Sequence, residues 1–309
     1  MSYAHTPVLW NELREYLAGA VSTGDGIVVD CTLGEGGHSK LMLETFPDIR
    51  VIAFERDGDI LEIASERLSA FGRRFEAIND NFSSVSKHLG NVKGRIAGFL
   101  YDFGISSYHF DKSGRGFSYQ GDEPLDMRLD GRGASARDLV NRCTEMELTD
   151  IIRNYGEERW AKRIARYICR ARERKPLETT LELTQLVLRA IPARFHVKNI
   201  HPATRVFQAL RIAVNDELAA IEKSLGEAVE LAAPRGRICA ISFHSLEDRI
   251  VKNAFRRAAR GCACTDDQCR CQNDPKVKIL TKKPVVPGDA EMASNRRARS
   301  AKLRVAERI

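Results

Sequence analysis

The feature that most constrains this chain is a short apolar stretch running straight into closely spaced glycines: Val28 to His38 reads V-V-D-C-T-L-G-E-G-G-H. Ile27 to Cys31 is β-branched and apolar apart from Asp30, which predicts a strand over 27–31. Gly34, Gly36 and Gly37 predict a tight turn, and Leu41, Leu43 and Phe46 ahead of Pro47 predict a helix over 38–46. Glycines between a strand and a helix let the backbone approach a ligand at the carboxyl end of the strand. A second strand, 50–55, ends on Glu55, nineteen residues after Gly36. Doubly wound folds place there the carboxylate that holds a ribose.

Two details of the turn choose between cofactors. The dinucleotide fingerprint needs Gly or Ala at its last position, where this chain has Ser39. Asp30 lies inside the strand before the turn, where a carboxylate repels a pyrophosphate but suits the ammonium of a methionine moiety. The turn therefore favours S-adenosylmethionine over NAD.

The alternation continues as helix 58–70, strand 75–79, helix 82–89 and strand 96–102, the order that builds a parallel sheet. Ahead of it, Leu9, Leu13, Tyr16 and Leu17 make one apolar face of a packing helix over 7–18. Phe82 follows the third strand at the ligand edge of the sheet, where it can flank an adenine or pack in the core. Asp102 ends the fourth strand, where open α/β sheets put reactive groups. The alternation then stops. Residues 103–133, rich in Gly, Ser and Asp, read as an active-site loop with neither helix nor central strand. Helical patterns over 135–192 read as an inserted helical domain. A single long helix is predicted from 203 to 233, ended by Pro234 and Gly236, then a fifth strand over 236–243. Ser245 is the expected cap of the next helix, with Asp248 three residues on. Late strands are expected near 277–281 and 302–306.

The net charge of +7 is unevenly spread. Residues 250–309 hold 15 Lys or Arg against 6 Asp or Glu, and Arg153 to Lys175 holds nine basic residues against three acids. Two basic clusters beside a cofactor fold favour a polyanionic substrate. No apolar run approaches the roughly 18 residues of a membrane span, and Met1 to Pro7 lacks the pattern of a signal peptide, so a cytoplasmic protein is expected. Cys31, Cys169 and Cys239 sit in apolar stretches as reduced thiols. Cys262, Cys264, Cys269 and Cys271 tempt a zinc reading, but each pair is spaced by one residue, tighter than zinc sites use, so no metal is assigned.

The blocks Gly34 to His38, Asp102 to Ser107, Arg115 to Ser118, Pro124 to Arg128, Tyr155 to Arg159, His201 to Arg205, Ser242 to Arg249 and Ala298 to Arg304 occur in order along nearly the whole chain, preceded by His5 to Val8. With them the chain resembles the bacterial small-subunit rRNA cytosine-N4 methyltransferases of the MraW/RsmH type. The resemblance implies a Rossmann-like class I methyltransferase sheet with an inserted all-helical domain, divided here as 1–105, 106–202 and 203–309. It implies S-adenosyl-L-methionine as cofactor and, as substrate, a cytidine in the decoding region of 16S rRNA in the small ribosomal subunit, with no DNA or membrane partner. Cofactor contacts implied by matching motifs are Gly36, Gly37, His38, Glu55, Phe82, Asp102 and His109. Relatives usually have Asp in place of Glu55, and often Pro-Gln in place of Tyr108 and His109. Asp102 either accepts the hydrogens of the attacking amine or only orients the cofactor, with a strand-end cap as its plainer reading. His244 is a second catalytic candidate, with a helix-start role as its plainer reading. A rival class is a non-catalytic RNA-binding assembly factor that holds the cofactor without turnover, and the acid at 102 argues against it.

Overall fold

The structure is a computed structural model that describes residues 7–21, 26–197, 201–260 and 274–309. In chain order it holds α1 (Trp10–Val21), β1 (Ile27–Asp30), α2 (Gly37–Thr45), β2 (Arg50–Phe54), α3 (Gly58–Leu68), β3 (Phe75–Ile78), α4 (Val85–Leu89) and β4 (Ile96–Asp102). Next come α5 (Ser107–Asp111), α6 (Ala136–Arg142), α7 (Glu145–Gly156), α8 (Ala161–Arg172), α9 (Thr180–Ala190) and α10 (Thr204–Asn215). The chain closes with α11 (Glu217–Leu231), β5 (Ala232–Ser242), α12 (Ser245–Arg260), β6 (Val277–Ile279), α13 (Asp289–Ser294) and β7 (Lys302–Arg308). Two compact units result: one runs to Gly104 and resumes over Leu218–Ile309, the other is Ile105–Glu217.

In the first unit the strands form one sheet in the order β3-β2-β1-β4-β5-β7-β6. The pairs from β3 to β5 are parallel, and β7 runs antiparallel to both β5 and β6. β1 is buried throughout, as expected of a parallel strand covered on both faces. Alternation sends Val29, Cys31, Phe54, Phe99 and Tyr101 to one face, against α11 and α12 through Leu225, Val229, Val251 and Phe255. Val28, Val51, Ala53 and Leu100 go to the other, against α1, α2 and α3 through Leu13, Leu17, Met42 and Leu68. Ile96 and Phe99, three residues apart, still share a face because the ladder shifts register between Ile96 and Gly98. A Cβ at Gly98 would lie 2.9 Å from Leu17 Cδ2, so the glycine is where α1 presses on the sheet.

Three sequence expectations need correction. The helix expected over 203–233 is two helices, broken at Asp216 in the left-handed region (φ 49°, ψ 41°). The chain crosses back to the first unit there, past the boundary expected at 203. Pro234 and Gly236 lie within β5, opposite the shift in β4, and Arg235 takes φ 65°. The loop expected over 103–133 contains the helical turn α5, because Ser106 and His109 close a capping box around it.

The second unit has its own core, in which Leu148, Ile152, Ile164, Ile168, Leu183, Val187, Val206 and Leu210 are fully buried. Capping boxes at Ser135–Asp138, Thr144–Glu147 and Thr179–Glu182 start α6, α7 and α9. The rest of the irregular segment is pinned by side chains. Arg115 Nη1 donates to the carbonyls of Arg128 and Leu129. Asn215, buried at the end of α10, accepts from Leu129 N at 3.0 Å and donates to Met127 O at 2.7 Å. Gly116 is forced: its φ is 75° and a Cβ would sit 2.2 Å from Pro124 O. Gly116→Ala is therefore expected to destabilise the protein by about 2–3 kcal/mol. Gly114→Ala, with φ 62° and nothing within 4 Å of the added carbon, pays only the left-handed strain, roughly 1–2 kcal/mol. Denaturant unfolding of the pair checks this, and equal losses would show that the Pro124 contact relaxes without cost.

Candidate active site

β1 lies between β2 and β4, so the strand order reverses at its carboxyl end, the place where open α/β sheets leave a crevice for ligands. Four elements of the first unit meet there. After β1 the chain turns on Gly34 (φ 50°) and Gly36 (φ 79°), and Gly37 opens α2. A Cβ at Gly36 would stand 3.0 Å from Leu68 Cδ1, which keeps the turn close against α3.

Asp30 lies under this turn with no exposed surface. Its Oδ2 accepts from Ser39 Oγ at 2.7 Å and its Oδ1 from Thr32 N at 3.1 Å. Burial raises its pKa, and the Ser39 bond and the charge of His38 oppose that rise. The expectation that Asp30 faces a ligand ammonium is thus corrected: the carboxylate is enclosed and organises the turn. Ser39, the residue that departs from the dinucleotide fingerprint, is what satisfies it.

His38 and Asp102 come together above it. His38 Nε2 donates to Val8 O at 3.1 Å, leaving Nδ1 3.4 Å from Asp102 Oδ2. Burial lowers the His38 pKa, but the Asp102 bond and the charges of Asp102 and Asp30 outweigh it, and the net direction is up. Asp102 N donates to Thr32 Oγ1 at 2.6 Å, tying β4 to the turn after β1. Asp102 Oδ1 is buried and has no hydrogen-bond partner among the described residues. Thr32 was missed by sequence reasoning, although a hydroxyl two residues after a strand-end acid is a signal for such a brace.

Glu55 follows β2 directly. Its Oε2 accepts from Gly34 N and its Oε1 from Asp57 N, both at 3.0 Å. Burial pushes its pKa up to about 7 against the pull of those backbone bonds. Phe82 is half-buried after β3, edge-on to Tyr101 at 5.9 Å and tilted to Phe103 at 6.2 Å.

Two expected site residues serve as helix caps. His244 precedes α12, its Nδ1 accepting from Glu247 N at 3.4 Å while Glu247 Oε2 accepts from the backbone N–H of Phe243 and His244 at 2.7 and 3.2 Å. Its Nε2 is 3.1 Å from Glu247 Oε1. The cap is therefore His244 with Glu247 three residues on, and not Ser245 with Asp248. Asp248 instead takes a bidentate bond from Arg304 of β7, at 2.6 and 3.2 Å. His109 belongs to the second unit, where its Nδ1 accepts from Ser106 N at 3.2 Å and its ring packs on Phe117 with centroids 5.1 Å apart. The four cysteines of 262–271 lie outside the described residues, whereas Cys31, Cys143, Cys169 and Cys239 are free thiols.

A sheet of this order with one reversed strand, a glycine turn after its first strand, an acid after its second and another ending its fourth is the frame of a class I methyltransferase. The chain belongs to the MraW methylase family, whose pattern it matches over residues 2–309. It is 50% identical over 315 residues to the ribosomal RNA small subunit methyltransferase H of Geobacter sulfurreducens, with 100% of both chains covered. Proteins of the same name from Clostridioides difficile and Finegoldia magna are 46% and 44% identical, again with 100% of both chains covered.

Glu55 and His38 set a pH dependence. Both have pKa values raised by folding, so the native state holds more protons than the unfolded chain, and stability falls as pH rises through the folded values. Between pH 5 and 8, the melting temperature of the ligand-free wild type is expected to fall relative to Glu55→Gln. Parallel melting curves for the two across that range would mean that Glu55 titrates as an ordinary glutamate.

Proposed function

We propose that the protein is an S-adenosylmethionine-dependent methyltransferase that methylates the exocyclic N4 of a cytidine in the decoding region of 16S rRNA, within the small ribosomal subunit in the cytoplasm. The observation that carries this reading is the buried, unpartnered Oδ1 of Asp102 at the crevice end of β4. A buried acceptor left open costs free energy, and a ligand hydrogen there recovers it. The names of the relatives support the substrate class. Among the described residues no helix is long and apolar enough to cross a membrane.

The residues present fit the cofactor. Gly36 and Gly37 bring backbone to the crevice, and the Glu55 carboxylate, already bonded to the turn, has lone pairs left for ribose hydroxyls. Phe82, half-buried, is the first aromatic residue after β3. His38 holds Asp102 in place through Oδ2. S-adenosylmethionine, when bound, supplies an electrophilic methyl on sulfonium. The protein's task is then to activate a poor nucleophile, since the cytosine amine is conjugated with its ring. Asp102 Oδ1 accepts a hydrogen bond from that amine, drawing the nitrogen towards a pyramidal shape with a free lone pair. With the cofactor bound, the freed lone pair would take the methyl group as its bond to sulfur broke, and the acidic aminium would give its proton to water. His244 uses Nδ1 in its cap, and because water can take the proton its Nε2 is not required as a base. The base leaves its stack to reach the site.

Asp102→Ala is expected to lower methyl transfer to small subunits by at least about a hundredfold while the fold survives. Near-normal turnover of the folded variant would remove Asp102 from the reaction. Glu55→Gln deletes a charge-assisted acceptor, whose worth of about 1.5–3 kcal/mol corresponds to a roughly tenfold to hundredfold loss of affinity for S-adenosylmethionine. Glu55→Asp, the acid common in relatives, should lose far less. Calorimetric titration decides both, and wild-type protein that prefers NAD would overturn the cofactor assignment.

A further inference from the structure

The second unit carries a basic face whose arginines are held by aromatic rings. Trp160 and Phe195 stand with ring centroids 5.1 Å apart and planes at 46°. The guanidinium of Arg159 lies 5.7 Å from the Trp160 ring and 5.0 Å from that of Phe195. Arg163 lies 5.9 Å from Trp160 and 5.6 Å from Tyr167, and Arg194 lies 4.9 Å from Phe195. Local structure explains the assembly. Trp160 caps α8, which places Arg163 and Tyr167 one and two turns further on, and a short 3-10 turn after Pro192 delivers Arg194 and Phe195 together.

The three arginines are exposed and the rings half-buried. Glu158, the nearest acid in sequence to this face, is buried, accepts from Trp160 N and lies 3.8 Å from Arg205. Among the described residues no carboxylate stands within ion-pair distance of Arg159, Arg163 or Arg194. A free surface arginine loses rotamer freedom when it grips an anion, and rings that already hold its guanidinium reduce that loss. A stacked guanidinium keeps its in-plane N–H donors for phosphate oxygens.

We infer that Arg159, Arg163 and Arg194, held on Trp160, Phe195 and Tyr167, form a preorganised phosphate-binding surface for the backbone of the ribosomal RNA. The inference rests on rRNA being the substrate. The charge is of one sign and lacks acidic partners, and the same stretch of chain holds nine basic residues against three acids over Arg153 to Lys175. Those are the marks of a surface that reads phosphates and not bases.

The test uses the full-length protein, small subunits from cells lacking it, and protein-free 16S rRNA. In the triple variant Arg159→Gln, Arg163→Gln, Arg194→Gln, the slope of log affinity for rRNA against log salt is expected to flatten by about two. KM for subunits should rise about tenfold at physiological salt, the scale set by losing phosphate contacts. Saturated turnover and S-adenosylmethionine affinity should hold. Trp160→Leu with Phe195→Leu keeps every charge, so its salt slope should stay while affinity falls, and Trp160→Phe should recover most of that fall. Unchanged slope and KM in the folded triple variant would overturn the surface. Weakened binding to whole subunits with unchanged binding to protein-free rRNA would overturn it too, since the partner would then be a ribosomal protein. Wild-type protein that transfers no methyl group to subunits contradicts the proposed reaction, whereas the salt slopes on rRNA judge the surface on their own.

Discussion

A carboxylate with no exposed surface, Asp30, sits at the end of the central strand, and the crevice above it is shaped by what that group needs. A buried acid without partners costs several kcal/mol, so the chain must bring donors to it or leave it protonated. Ser39 reaches it only because the turn doubles back on Gly34 and Gly36 in left-handed conformations, which places the first turn of α2 directly over the strand. His38 is then carried to Asp102, and Thr32 is carried to the backbone of the same residue. One buried charge thus ties together the ends of β1, β4 and α2. The glycine turn is the means by which the tie is made.

The two acids at the rim have different environments. Both oxygens of Glu55 accept backbone N–H groups, and burial still pushes its pKa up to about 7, so a ligand that donates to the carboxylate competes with a proton. Asp102 divides its work, with Oδ2 facing His38 and Oδ1 left open. An acceptor held by strand, threonine and histidine, and still unmet, is the feature on which the proposed reaction rests. The two acids differ because each lies at the end of a different strand, Glu55 after β2 and Asp102 closing β4.

Much of the sheet was legible because its signals are local. Apolar β-branched runs, the glycines after β1 and the spacing to Glu55 locate β1 to β4 within a residue or so. What failed depended on backbone choices that composition does not record. Asp216 breaks a helix whose apolar periodicity runs unbroken from Val206 to Val229, because the interruption is one left-handed residue and leaves the spacing nearly in phase. Pro234 and Gly236 read as a helix stop, and α11 does end at Leu231, yet they also serve an irregularity in β5 that is visible only beside β4. At the candidate site, the glycine turn and the strand-end acids were legible and their pairings were not. His244 with Glu247 three residues on is a capping signature hidden by the habit of expecting Ser or Thr as the cap. Asp30, read as a ligand contact, proved to be enclosed, since burial of a strand-end acid depends on what α2 packs over it.

The central claim is that the open oxygen of Asp102 serves methyl transfer to one cytidine amine of small-subunit rRNA. Mass spectrometry of nucleosides from that rRNA, in cells with the wild-type protein, without it, or with folded Asp102→Ala, tests this most directly. The account predicts that an N4-methylated cytidine at a single site is present with the wild type and lost in both other strains. Retention of that nucleoside in the Asp102→Ala strain, or an unchanged methylcytidine content when the protein is absent, would contradict it.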